Sequence, residues 1–257
     1  MKLRIPTRYL ALLLLLWFCG CASLGTYNAA TGRREFIIIP TNEEVAMGEK
    51  MHQQVISQYP LSSRQDQVAR VEKIGQRLAQ VSERQDYTYH FFLVESKELN
   101  AFTIPGGRVY IFTGLMDRLT SDDQIAAVLA HEIGHCAARH TVKKFQASVG
   151  YDLIGGIILN RLGMQEQVQQ LVTLSSNALM QLVFSAYSRH DEYEADHLGL
   201  RYMDWARYDV QGMIETFEVL EKEAESSSVP LILRSHPYVK DRITAVKTEI
   251  EKMKADK

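Results

Sequence analysis

The chain has 257 residues, 46% hydrophobic and 23% charged, with 15 Gly and 6 Pro, which excludes wholesale disorder, collagen-like repeats and low-complexity architecture. Its formal charge of −2 averages two parts: residues 1–20 carry Lys2, Arg4 and Arg8 and no acid, and the remainder holds 26 basic against 31 acidic residues, a net of −5. A mildly acidic body with no basic run interleaved with aromatics excludes nucleic acid as a partner.

The three basic residues precede an apolar run, Leu10 to Phe18. That is the n-region and h-region of a secretory signal, too short to span a bilayer as a helix. The run ends at Phe18-Cys19-Gly20-Cys21-Ala22-Ser23, where a small residue directly before a cysteine resembles the lipobox of bacterial lipoproteins. The resemblance implies cleavage after Gly20 and diacylation of Cys21, giving a membrane anchor. Ala22 in place of Asp resembles the outer-membrane sorting pattern, so the expected location is the bacterial envelope, on the outer membrane and facing the periplasm. The organisation read from the chain is a signal peptide over 1–20, a lipidated tether and linker over 21–40, and one domain over 41–257. Cys19 leaves with the signal and Cys21 carries lipid, so Cys136 stands alone and no intramolecular disulfide is expected. It reads as a small apolar residue rather than a regulatory thiol.

Residues 22–34 are small, polar and aperiodic and read as the tether. Glu35–Pro40 holds an Ile triplet suited to a strand. Thr41 and Asn42 followed by two Glu predict a helix start, running to about Tyr59, and a second helix covers roughly 64–83 by its apolar spacing. Tyr87–Glu95, Asn100–Ile104 and Arg108–Thr113 read as strands, the last two around the turn signal Pro105-Gly106-Gly107. After Leu119 the chain reads as helix nearly to its end. The apolar stretch 149–164 is too short and polar to cross a membrane. It reads as a helix or hairpin at the domain edge, the alternative being a mobile flap or bilayer-touching patch. The fold class is α+β, mostly helical, with a small sheet.

The informative segment runs from Ser121 to His135. Thr120 or Ser121 caps a helix whose first turn carries Asp122 and Asp123. His131 and His135 are four apart, so their rings lie about 6 Å apart along the axis on one side. Two neutral imidazoles in that geometry can hold one Zn²⁺, and Glu132 sits where its carboxylate reaches water at the ion without being a ligand. A metzincin's third His would fall at Thr141. His140 is one short and reads as structural or as a neighbour of the ligands. Downstream, Glu192 and Asp196 are four apart on one helical face, near the end of an apolar pattern beginning about Gln170. Glu192 is read as third ligand, with Asp196 bonding the far nitrogen of a zinc-bound His. Asp191 and Glu194 are read as a solvated face.

These paired motifs, with Asn100-Ala101-Phe102 and Pro105-Gly106-Gly107 upstream, resemble the gluzincin metallopeptidases that include HtpX and the CAAX prenyl proteases, in their lipoprotein branch. The resemblance covers about residues 41–250. It implies a zincin-type fold with the sheet beside the HExxH helix, one Zn²⁺ per chain and endopeptidase activity on envelope proteins, with Glu192 as third ligand. It also implies a sheet edge around Asn100, Ala101 and Phe102 that pairs with extended substrate. Ser235-His236-Pro237 with Arg242 matches a further segment, implying that His236 lies near the site and stabilises the oxyanion. The expected partners are a protein or peptide substrate and the membrane. The alternative is a tethered chaperone or assembly factor for outer-membrane proteins with little or no proteolysis.

Overall fold

The computed structural model describes residues 25–157, 176–226 and 230–255. The signal segment, Cys21 and the greater part of the apolar stretch over 149–164 lie outside the described residues or side chains.

The chain opens with a hairpin, β1 (Thr26–Asn28) and β2 (Arg33–Glu35), paired antiparallel with Tyr27 opposite Arg34. The stretch read as tether is thus structured from Thr26 onward. Gly32, at φ +66, makes the tight reversal that a composition-based reading passes over. Nor does the Ile triplet form a strand. Its backbone is served by one side-chain amide: Ile38 and Ile39 N–H donate to Gln146 Oε1 at 2.6 and 3.2 Å, and Gln146 Nε2 donates to the Phe36 carbonyl at 3.1 Å. A single glutamine supplies here what a neighbouring strand would.

Helices α1 (Thr41–Gln58) and α2 (Gln65–Ala79) lead to β3 (His90–Val94), β4 (Ala101–Ile104) and β5 (Arg108–Phe112). The sheet order is β3-β5-β4, with β3 parallel and β4 antiparallel to β5, so β4 is an edge strand among the described residues. Period-two alternation sends Ala101, Val109 and Ile111 to one side and Phe102, Ile104, Tyr110 and Phe112 to the other. Both sides are covered, which is why every residue of β4 and β5 is buried. Gly106 and Gly107 between them take φ +77 and +73, which the Pro-Gly-Gly signal anticipates.

A short helix α3 (Thr113–Met116) precedes α4 (Asp122–Ala137), followed by α5 (His140–Ile157) and α6 (Ser176–Phe184). The chain ends in α7 (Arg189–Trp205), α8 (Gln211–Ser226), a single turn α9 (Leu231–Ser235) and α10 (Val239–Ala255). Ser121 caps α4 by accepting from Gln124 N–H at 3.1 Å. From Gln124 to Ala137 every residue of α4 is buried, so it is a central helix rather than an amphipathic surface one. The fold is mostly helical with small sheets beside the helices, the α+β arrangement expected for a zincin. The acidic cluster does not end the preceding apolar helix. The chain breaks after Phe184, and the cluster opens α7 through a capping box of Ser188 and Asp191.

Candidate active site

Close approach of α4 and α7 builds the site. A Cβ on Gly134 would meet the Ala195 carbonyl oxygen at 2.7 Å, and one on Gly199 would lie 3.2 Å from His131 N. Glycine on both helices therefore lets the backbones meet. Across this contact α4 presents His131, Glu132 and His135, and α7 presents Glu192 and Asp196, all buried. α9 and the residues after it bring His236, and α10 brings Arg242.

Two chains of hydrogen bonds set the imidazoles. Asp196 Oδ1 accepts from His131 Nδ1 at 2.9 Å. His135 Nδ1 meets His140 Nδ1 at 2.9 Å, and His140 Nε2 donates to Glu194 Oε2 at 3.2 Å. The tautomers that direct both Nδ1 protons outward leave the two Nε2 lone pairs facing each other, with the nitrogens 3.1 Å apart. Burial holds the His135 imidazole well below its ordinary pKa and hence neutral. Unprotonated nitrogens this close repel unless a cation lies between them. A tetrahedral zinc with ordinary Zn–N bonds wants them about 3.3 Å apart.

Glu192 adds the carboxylate. Oε1 lies 3.5 Å from His135 Nε2 and Oε2 3.7 Å from His131 Nε2. Burial opposes its ionisation, yet the Arg242 guanidinium and His236 hold it well below the usual carboxylate range. Arg242 donates to Glu192 Oε2 and makes a two-point contact with Asp196, whose carboxyl is likewise kept ionised against burial. His131, His135, Glu192 and His236 form a set whose ligand atoms all lie within 4.8 Å of one another, a buried cluster able to coordinate a divalent ion such as Zn²⁺.

His236 faces two ways. Nδ1 is 3.1 Å from Glu192 Oε1 and 3.2 Å from His131 Nε2, while Nε2 lies 3.5 Å from Glu132 Oε1 and has no hydrogen-bond partner among the described residues. Glu132 Oε2 has none either, and burial raises the pKa of this carboxyl. Asn100, immediately before β4, is fully buried, and among the described residues neither amide atom has a partner. Ala101 and Phe102 occupy the edge strand, with Phe102 stacked on Tyr110 and edge-on to Phe184.

Sequence reasoning misplaced or passed over four groups. Glu194 is not solvated: it bonds His140 and pairs with Arg33 at 2.6 Å. Asp191 is taken by the Ser188 cap, a signal present as Ser-x-x-Asp. Arg242 belongs to a segment that matches the family, but nothing in its polar helix pattern marks it as buried. Tyr187 carried no signal at all, yet its ring stacks on His135 with centroids 3.9 Å apart and its hydroxyl meets Thr141 Oγ1 at 3.0 Å. Its backbone N–H donates to the Ser235 carbonyl at 3.0 Å, joining the α6–α7 connection to α9.

A buried His-His-Glu cradle between a central HExxH helix and a second helix, beside a three-stranded sheet, defines a metallopeptidase domain of the zincin kind. Residues 65–250 match Peptidase family M48, and the chain belongs to that family. It is similar to the mitochondrial metalloendopeptidase OMA1 of Schizosaccharomyces pombe, 27% identical over 224 residues, which are 86% of this chain and 65% of that protein. It is also similar to the beta-barrel assembly-enhancing protease of Escherichia coli K12, 26% identical over 219 residues, 82% of this chain and 45% of that one. OMA1 of Arabidopsis thaliana is 30% identical over 164 residues, 64% of this chain and 32% of that one. The chain thus spans less than two thirds of the length of these relatives.

Proposed function

We propose that the protein is a zinc-dependent endopeptidase of the bacterial envelope, in a LoiP-like lipoprotein branch of the family, that hydrolyses misfolded or specific envelope proteins. The observation that carries the reading is the pairing of two facing imidazole nitrogens with a carboxylate, beside a Glu132 oxygen that has no hydrogen-bond partner among the described residues. His131, His135 and Glu192 hold the ion. Bound there, zinc supplies Lewis acidity toward water and toward a peptide carbonyl.

Glu132 takes a proton at Oε2 from the attacking water and returns it to the leaving amine. His236 Nε2 is the donor for the developing oxyanion of the substrate. Asn100 and the free edge of Ala101 and Phe102 hold the peptide extended. Asp196, fixed by Arg242, keeps His131 in the ligand tautomer, and His140 with Glu194 does the same for His135. The name of the Escherichia coli relative favours substrates or partners in outer-membrane assembly. The lipidated Cys21 anchors the domain to the outer membrane on its periplasmic side. No helix of the described residues is long and apolar enough to cross a membrane, and anchoring through Cys21 accords with that.

The deciding experiment incubates purified full-length chain, and its Glu132→Gln variant, with unfolded β-barrel protein, followed by N-terminal mapping of products. Peptides that disappear with chelator and return with zinc support the reading. Cleavage by Glu132→Gln at the wild-type rate refutes it. Full complementation of a deletion by Glu132→Gln would favour a chaperone or assembly factor instead.

A further inference from the structure

We propose that the outward face of the β1–β2 hairpin, carrying Tyr27, Arg34 and Phe36, contacts lipid headgroups and lays the domain against the bilayer. The proposal rests on the lipid-anchor reading of Cys21 and goes beyond it, because an anchor alone leaves the orientation of the domain free.

The hairpin has two unlike faces. Asn28, Arg33 and Glu35 bond to the rest of the domain: Asn28 Nδ2 donates to the Ala137 carbonyl at the end of α4 and to Glu35, both at 3.0 Å, and the half-exposed Arg33 pairs with Glu194 on α7. Lys143 of α5 closes the cluster on Glu35 at 2.7 Å. The hairpin is therefore fixed to three helices of the domain. Tyr27 and Arg34 are directly opposed in the ladder and share the other face, and Phe36 continues the same alternation after the buried Glu35.

That face is built as a membrane-interface surface would be. Tyr27 is 61% and Phe36 69% exposed, the two most exposed large apolar side chains among the described residues. Between them Arg34 makes a hydrogen bond to the Gly25 carbonyl at 2.9 Å and, among the described residues, pairs with no carboxylate. Its guanidinium keeps donors for a phosphate, unlike Arg33, which is held by Glu194. Aromatic rings flanking a cation that has no carboxylate partner among the described residues match the chemistry of an anionic bilayer surface. Chain length adds the second argument. Cys21 lies four residues before Gly25, and four residues fully extended span at most about 14 Å. With Cys21 held in the headgroup layer, Gly25, which leads into the hairpin, cannot leave the bilayer surface by more than that.

The test uses the full-length acylated chain in phosphatidylethanolamine–phosphatidylglycerol vesicles. Tyr27→Cys, Phe36→Cys and Leu61→Cys are made separately and labelled with a small fluorophore. Acylation blocks Cys21 and Cys136 is buried, so the label is selective. Leu61 is exposed and stands before the start of α2, whereas Glu83, beyond the end of that helix, binds the Arg201 that donates to the Ala30 carbonyl of the hairpin. Labels at 27 and 36 are expected to be quenched by spin-labelled headgroups and shielded from iodide, and the label at 61 to do the reverse. Arg34→Ala, or neutral phosphatidylcholine vesicles, should weaken the headgroup quenching at 36. Labels at 27 and 36 that behave like the one at 61 in acylated protein overturn the surface while leaving the anchor intact. Iodide shielding without headgroup quenching means a protein occupant and overturns it too. Mass analysis of the N-terminal peptide reads the anchor separately: an unmodified Cys21 removes the anchor and the orientation proposal with it.

Discussion

Arg242 grips Asp196 with two parallel hydrogen bonds, Nε to Oδ2 at 2.7 Å and Nη2 to Oδ1 at 2.6 Å. The same guanidinium reaches Glu192, so one buried cation aligns the carboxylate of the cradle and the carboxylate that orients His131. Lysine carries the charge without the planar fork. Arg242→Lys is expected to fold and to bind zinc about 10- to 100-fold more weakly, the usual loss when a group supporting a ligand is disturbed. Competition with a chromogenic chelator measures it. Unchanged affinity would mean that the fork is dispensable.

Glu132 and His135 separate chemistry from binding. Glu132→Gln is expected to retain one zinc per chain while turnover falls by about 10²- to 10⁴-fold, the range for removing a positioned base. His135→Ala removes a ligand and should lose the metal as well. Metal analysis alongside peptide hydrolysis distinguishes the two, and loss of zinc from Glu132→Gln would contradict a role confined to proton transfer.

Gly134 is the residue of the HExxH segment that allows α7 to approach. A methyl group there must displace the Ala195 carbonyl from 2.7 Å, a backbone contact with no flexible end to yield. Gly134→Ala is expected to cost about 1–3 kcal/mol in chemical denaturation, the range for overpacking a core. It should weaken zinc binding too, since the shift moves Glu192 away from the two imidazoles. A variant as stable as wild type would show that the helices can slide apart freely.

His197 offers a pH-dependent contribution away from the metal. Its hydrogen bond to Glu249 raises its pKa above the ordinary value, against partial burial. For a histidine raised on folding, the stabilisation is complete below the unfolded pKa of about 6.5 and is lost as pH rises through the folded value. The pair is half exposed, so the effect should stay below about 1 kcal/mol. Melting His197→Gln beside wild type should show a deficit at pH 5.5 that closes by pH 9. A deficit that grows with pH would reverse the assignment.

What could be read from the chain followed from covalent spacing. Four residues on a helix place His131 beside His135 and Glu192 beside Asp196 whatever surrounds them, and the folded structure brings those two pairs together. Spacing is silent about what packs where. Gln146 replacing a strand partner for Ile38 and Ile39, Arg242 reaching in from a polar helix, and Tyr187 lying on His135 all depend on contacts between residues distant in sequence. Glu194 was misread because its partners, His140 and Arg33, come from elements 54 and 161 residues away. The hairpin was hidden by its brevity, three residues a strand.

His131, Glu132, His135, Glu192 and His236 are each 9% exposed or less, and Glu132 Oε2 and His236 Nε2, the two atoms read as meeting water and substrate, are buried. Substrate entry therefore requires an opening equilibrium, and that equilibrium enters every rate. A domain open one part in a hundred binds about 100-fold more weakly than its intrinsic affinity, irrespective of how well the peptide fits. Selection then acts on time as well as on sequence. An unfolded segment that lingers beside the domain meets many openings, whereas a folded neighbour that diffuses past meets almost none.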